Sequence, residues 1–225
     1  MLADIVSHRT AIAAVVFFWP ALFAFAALYP GYSHYTRAIS GLGAFGAPHA
    51  LAWNLVGFVV PGLLLAASGA RIALAVDGRR TLAFWLLVVS GLGFAGTGVF
   101  PAEMWNGIPL MRSPWTAAHI LMISVSGLPW LVAAFVLVRG VKRNTQWQHF
   151  KKIILILALL ALVSFSLNIF ADSIPILADA NGLAQRIAFA GYFGWFVVAE
   201  ALFVAVASRP NRRVPNKQMQ RARYG

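Results

Sequence analysis

The stretch YSHYTRAISGLGAFGAPHALAWN, Tyr32 to Asn54, is a dense block of polar and turn-forming residues between two long apolar runs, Thr10 to Tyr29 and Ala50 to Ala70. Each run is about 20 residues, which at about 1.5 Å per residue is enough for one helical crossing of a hydrocarbon layer of about 30 Å. The block therefore reads as the loop between two membrane-spanning helices. Four further runs repeat the pattern: Thr81 to Phe100, Thr116 to Val138, Ile153 to Ala171 and Ile187 to Ala207. Continuous apolar runs rather than short alternating segments predict helices, not an outer-membrane barrel.

Composition agrees. Hydrophobic residues make up 60% of the 225, charged residues 11%, and mean hydropathy is +0.77, outside the range of soluble globular domains. The expected fold class is all-α: a polytopic membrane bundle of six transmembrane helices over residues 1–208, with a basic disordered tail over 209–225. With no cysteine, a disulfide framework, a thiolate metal site and a cysteine nucleophile are all excluded. The start of the chain, with His8, Arg9 and Ala24-Phe25-Ala26, has the outline of a secretory signal. Its apolar run continues to Tyr29 through Trp19-Pro20, and we read it as a retained, kinked span.

Orientation follows from the basic residues. Arg9, the 71–80 loop, the 139–152 loop and the tail hold fifteen of the eighteen, leaving Arg37, Arg112 and Arg186 on the other side. The basic side is expected to face the cytoplasm, with both termini inside and the basic segments against anionic headgroups of a prokaryotic cytoplasmic membrane. The net charge of +12 is thus a topology signal. Nucleic acid is not an expected partner, because no basic and aromatic repeat builds a stacking platform. Protein partners and oligomeric state are not legible.

The outward loops, 30–49, 101–115 and 172–186, carry most of the candidate chemistry, including His34, Arg37, Ser40, His49, Glu103 and Asp172. Asn54, His119 and Asn168 lie three or four residues inside the outer ends of three spans, in one layer about 4 to 6 Å deep. Polar groups there avoid lipid by facing one another or a water-filled cup. Interhelical hydrogen bonding is the simpler reading. The sharper one is a polar cup of His34, Arg37, Ser40, His49, Asn54, Glu103, His119 and Asn168 that binds a lipid headgroup or small amphiphile, or supports a partner, without catalysis.

Two other readings belong beside it. His34, His49, His119 and Glu103 have the chemistry of a hydrolytic metal site, although no HExxH or comparable spacing requires it and no cofactor is expected. A small transporter is the third, weakened because Glu200, in its neutral hydrogen-bonded form near mid-membrane, has no ionisable partner at its depth in any span. Gly91 with Ala95 and Ala190 with Gly194 are small-xxx-small pairs suited to close helix packing. Tyr29, Trp115, Trp147 and Tyr192 suit interfacial belts.

Short motifs add a resemblance. Tyr32-Ser33, Ile39-Ser40-Gly41-Leu42-Gly43-Ala44, Ala47-Pro48, Asn54 and Gly57-Phe58 resemble the opening signature of the domain-of-unknown-function 998 family of prokaryotic membrane proteins. Phe100-Pro101-Ala102-Glu103 followed by His119 is similar to that family's second signature, and the likeness runs from about Thr10 to Ala207. It implies a six-helix integral membrane protein with no generally assigned activity, and a shared polar set of Ser40, Asn54, Glu103 and His119. Members often carry Glu where this chain has Gly41, and Asp where it has Glu103. The first departure removes one carboxylate of any acid pair.

Overall fold

The computed structural model describes residues 9–105, 108–143, 147, 150–170, 173–175 and 177–207, without the side chains of residues 108, 143, 168, 178 and 204–207. Among these residues six long helices make up the body: α1 (Thr10–Ala27), α2 (Ala50–Asp77), α3 (Leu82–Val99), α4 (Pro114–Arg143), α5 (Lys151–Phe170) and α6 (Asn181–Ala207). Five of them, α1, α2, α3, α4 and α6, are long and apolar enough over their described residues to cross a membrane by length and composition. A two-residue antiparallel hairpin, Met104–Trp105 with Ile108–Pro109, interrupts the loop expected between α3 and α4. The tail expected over 209–225 lies outside the described residues, as do Asp172 and the side chain of Asn168.

Each helix packs on the next, and α6 closes the ring by returning to α1 and α2. Glycine sets the closest approaches. A Cβ at Gly91 would overlap the backbone nitrogen of Ala66 on α2 and come within 2.5 Å of its Cα, and one at Gly93 would come within 2.5 Å of the Ser126 nitrogen on α4. α3 is thus in backbone contact on two sides, as small residues permit in membranes, where apolar burial does not favour helix pairing. Gly194 has open space around its Cβ position, so the Ala190/Gly194 pair makes no such approach there. Inside the ring an aromatic core joins Phe18, Phe94 and Phe193, with Phe18 and Phe193 ring centroids 4.6 Å apart. Outside, exposed Val16, Phe23, Leu63, Trp85, Leu121 and Val132 leave an apolar surface that lipid would cover.

α2 departs from expectation at both ends. It starts at Ala50 behind His49, whose φ of 57° places a non-glycine residue in the left-handed region, so Pro48 precedes the helix rather than opening it. Over Asn54–Val59 it widens into a π-turn just before Pro61. Pro61 has no N–H to give the Gly57 carbonyl and its ring would crowd that group, and a wide turn relieves both. The helix then continues past Ala70 to Asp77 and ends at Gly78, φ 66°.

That extension puts Arg71 inside the bundle and corrects the reading of Glu200. Glu200, 3% exposed, lies 3.1 Å from Arg71 Nη1, an ion pair rather than an aligned hydrogen bond. Its carboxylate also accepts from Thr10 Oγ1 (2.8 Å) and from the Ala11 amide (2.7 Å). Glu200 therefore caps α1 from α6, filling a first-turn N–H with a carboxylate where the helix dipole favours one. It has an ionisable partner at its depth and sits level with the start of α1 as described from Thr10.

Candidate functional site

The short 3-10 turn Ile39–Gly43 organises the outer end of the bundle. Its first residue donates from Ile39 N to Gln185 Oε1 on α6 (2.6 Å), and its last accepts at the Gly43 carbonyl from Asn54 Nδ2 (2.9 Å). Both ends are pinned, so Ser40 and Gly41 are held between. Ser40 lines a half-enclosed cavity of about 60 Å³ within the helix ring, and Gly41 lines a more polar depression of about 260 Å³ with Tyr29, Tyr32 and Arg37. The turn is the partition between them.

The inner cavity is a slot between α4 and α6. α4 presents His119, Ile123, Ser126 and Trp130, spaced along one helix face over about 16 Å, and α6 presents Gln185, Phe189 and Tyr192. Phe58, Phe94 and Phe165 complete an aromatic wall. Tyr192 is buried there, its hydroxyl 2.8 Å from Ser90 Oγ and accepting from Ser126 Oγ at 3.2 Å. Tyr192 is therefore not an interfacial belt residue, and neither is Trp147, which is fully buried. No charged side chain lines the slot among the described residues.

His119 carries the least ordinary chemistry. Its Nδ1 lies 3.0 Å from the Thr97 carbonyl and 2.8 Å from the Phe100 carbonyl, at the C-terminal end of α3. Carbonyls only accept, so Nδ1 holds the hydrogen and the tautomer is set. The neutral ring then offers Nε2 as an acceptor, and that nitrogen is buried without a hydrogen-bond partner in a residue that is 4% exposed. Trp130 Nε1, a donor, is likewise buried and unpartnered farther along the slot. Unmet buried polar groups are costly and call for an occupant, whether water or ligand.

The other expected residues separate from this slot. His34 accepts from Arg186 Nε at Nδ1 (3.1 Å). Arg186, itself buried, also donates to the Arg37 carbonyl (3.0 Å) and the Tyr32 hydroxyl (2.8 Å), strapping the 32–38 loop to α6. Burial pushes the Tyr32 phenol up, with the Arg186 charge opposing it, and burial followed by Arg186 holds His34 below the ordinary histidine value. The Arg37 guanidinium lies over the Tyr29 ring at 5.5 Å. His49 is exposed, its ring centroid 6.3 Å from that of Phe25. Asn54 is spent on Gly43, and the backbone of Glu103 is tied to Thr116 Oγ1 (3.0 Å).

Of the eight residues expected in one cup, then, Ser40 and His119 share the slot, and His34 and the Arg37 backbone share the strap. His34, His49, His119 and Glu103 do not gather, and among the described residues no three His, Asp or Glu side chains are close enough to hold a metal ion. Gln185, Ser126, Trp130 and Tyr192 were missed. The signal for all four, and for His119, lay in helical spacing: His119, Ser126 and Trp130 fall on one stripe of α4, and Gln185 and Tyr192 on one of α6.

No curated protein and no solved structure matches the chain. One family model does, described as a protein of unknown function (DUF998), and it covers residues 12–202, the whole helix ring up to the last turns of α6. An apolar helical bundle with that match is a membrane protein of the domain-of-unknown-function 998 family, to which this chain belongs.

Proposed function

We propose that this protein is a six-span resident of the prokaryotic cytoplasmic membrane, both termini inside, that binds a small amphiphile in the slot between α4 and α6. The observation that carries the binding reading is His119 Nε2, a buried acceptor of fixed tautomer without a hydrogen-bond partner, on a residue that lines a half-enclosed cavity. Ser40, within the pinned turn, and Gln185, which holds it, sit at the outer end, while aromatic side chains form the wall for an apolar portion. Polar contacts few in number and apolar lining in quantity are the usual make-up of a small-molecule site.

Support for a sixth span comes from α5, whose exposed face is apolar at Ile156, Leu159 and Val163. The distribution of basic residues supports the orientation, with the cytoplasmic basic segments against anionic headgroups. Because the chain has no cysteine, single cysteines at Arg37 and Arg139 report sidedness directly. An impermeant thiol reagent added to intact cells should label the first and spare the second, and the reverse pattern rejects the topology. Binding is tested by organic extraction and mass analysis of the detergent-purified full chain. Wild type should carry a stoichiometric amphiphile that His119→Asn lacks; equal content in both rejects the site.

A further inference from the structure

We infer that the group recognised in the slot is a neutral hydroxyl, and that the ligand class is a lipid alcohol rather than a phosphate or carboxylate lipid. The inference rests on the binding reading above and narrows it. His119 Nε2 cannot donate while Nδ1 serves the Thr97 and Phe100 carbonyls, so the ligand atom facing it must bring a hydrogen. Phosphate and carboxylate oxygens, ionised, only accept, and would meet the lone pair of Nε2 with their own.

The walls point the same way. A buried anion needs a cation or several donors, and no lysine or arginine lines the slot among the described residues. Arg186, the nearest charged residue in sequence to this face of α6, spends three of its nitrogens on His34, Tyr32, Arg37 and Gly182. The Ser126, Tyr192 and Ser90 hydroxyls satisfy one another. What is left is the acceptor Nε2, the Ser40 hydroxyl, the Gln185 amide and, farther along, the single Trp130 Nε1 donor, too few donors for an anion; a hydroxyl suits them, giving its hydrogen to Nε2 and keeping lone pairs for a neighbour such as Ser40 or Gln185.

Size restricts the class further. A volume of about 60 Å³ has room for about four to six water-sized groups at roughly 10–15 Å³ each. That fits a hydroxyl and its first few carbons. A lipid alcohol would pass its remaining chain out through the open side of the slot, and that is what separates it in the test from a free short alcohol.

The test uses the full chain in phosphatidylcholine nanodiscs and four probes: 1-octanol, octyl methyl ether, octyl phosphate and 1-butanol. Binding is read by the shift in thermal unfolding midpoint across a titration. Octanol should bind at least about tenfold more tightly than the ether, because the ether leaves a buried acceptor unmet. Butanol should be weaker than octanol, and the phosphate should give no shift. In His119→Asn, whose side-chain amide can still serve the two carbonyls but offers nothing at the Nε2 position, octanol and ether should become equal. His119→Gln, with an acceptor near Nε2, should restore part of the preference.

Ether and octanol binding wild type equally would overturn the hydroxyl assignment and leave the binding reading standing. Phosphate binding best would overturn the class. Butanol matching octanol would assign a free alcohol instead of a lipid. No shift with any probe, together with no extractable amphiphile, would mean that water alone fills the slot, and both readings fall.

Discussion

Replacing Glu200 by glutamine removes one charge and almost no volume, and its consequences can be worked from the contacts. At 3.1 Å the gross attraction between Glu200 and Arg71 is about 5 kcal/mol for an effective dielectric near 20. Desolvation of a carboxylate that is 3% exposed offsets much of it, whereas Arg71, 24% exposed, keeps part of its hydration. A net coupling of about 1–3 kcal/mol is expected for residues in direct contact. The charge also faces the first turn of α1, worth about 0.3–1 kcal/mol and up to about 2 in a buried geometry. Glu200→Gln should therefore cost about 2–4 kcal/mol, because the amide keeps one acceptor for Ala11 or Thr10 but takes away the charge that faces Arg71. Arg71→Met should cost less, and the double variant Arg71→Met/Glu200→Gln should recover that coupling, about 1–3 kcal/mol, relative to additivity. Reversible SDS-titration unfolding of the four proteins in mixed micelles measures the cycle. A coupling below about 0.3 kcal/mol, with Glu200→Gln within about 0.5 kcal/mol of wild type, would refute the reasoning that this pair and cap hold α2 and α1 to α6.

Two further predictions concern the packing and the strap. Gly91→Ala should destabilise the bundle by about 2–3 kcal/mol, since the new methyl meets α2 backbone rather than a movable side chain, while Gly194→Ala, in open space, should stay within about 0.5 kcal/mol; the same unfolding titration compares them, and equal effects would contradict the close approach of α2 and α3. His34 accepts the Arg186 hydrogen at Nδ1, and its value is depressed in the fold, with Arg186, Arg37 and Tyr32 around it. The strap's contribution should be full above the ordinary histidine value of 6.5 and lost as pH falls through the lower folded value; amide exchange over residues 32–38 should rise in that window in wild type, and an unchanged pH response in His34→Gln would show that another group is responsible.

The helical architecture was legible because a hydropathy run of about 20 residues has few physical solutions, and the resemblance carried by Ile39–Ala44 and His119 held across the ring. The end of α2 was not, because Arg71 closes the apolar run while the backbone continues helical to Asp77. One charged residue thereby hid the partner of Glu200. Depth counting placed Asn54 and His119 together in a polar layer, but depth says nothing of azimuth: Asn54 turns to the Gly43 carbonyl and His119 to the slot. Tyr192 and Trp130 were indistinguishable in sequence from residues that pack or anchor, since an aromatic hydroxyl or indole is equally at home at an interface or in a core.

The wide turn at Asn54–Val59 has one more consequence. An i to i+5 turn holds an extra residue, so the two parts of α2 are not obliged to share one angular phase. The inner part is phased by Gly62 and Gly69 against α3, and the outer part by the grip of Asn54 on the 3-10 turn. The turn works as a phase joint: the wall of the slot can be retuned by changes in the outer loop without rotating the glycine seam out of register, and a single-residue change in length is best absorbed between Leu55 and Val59.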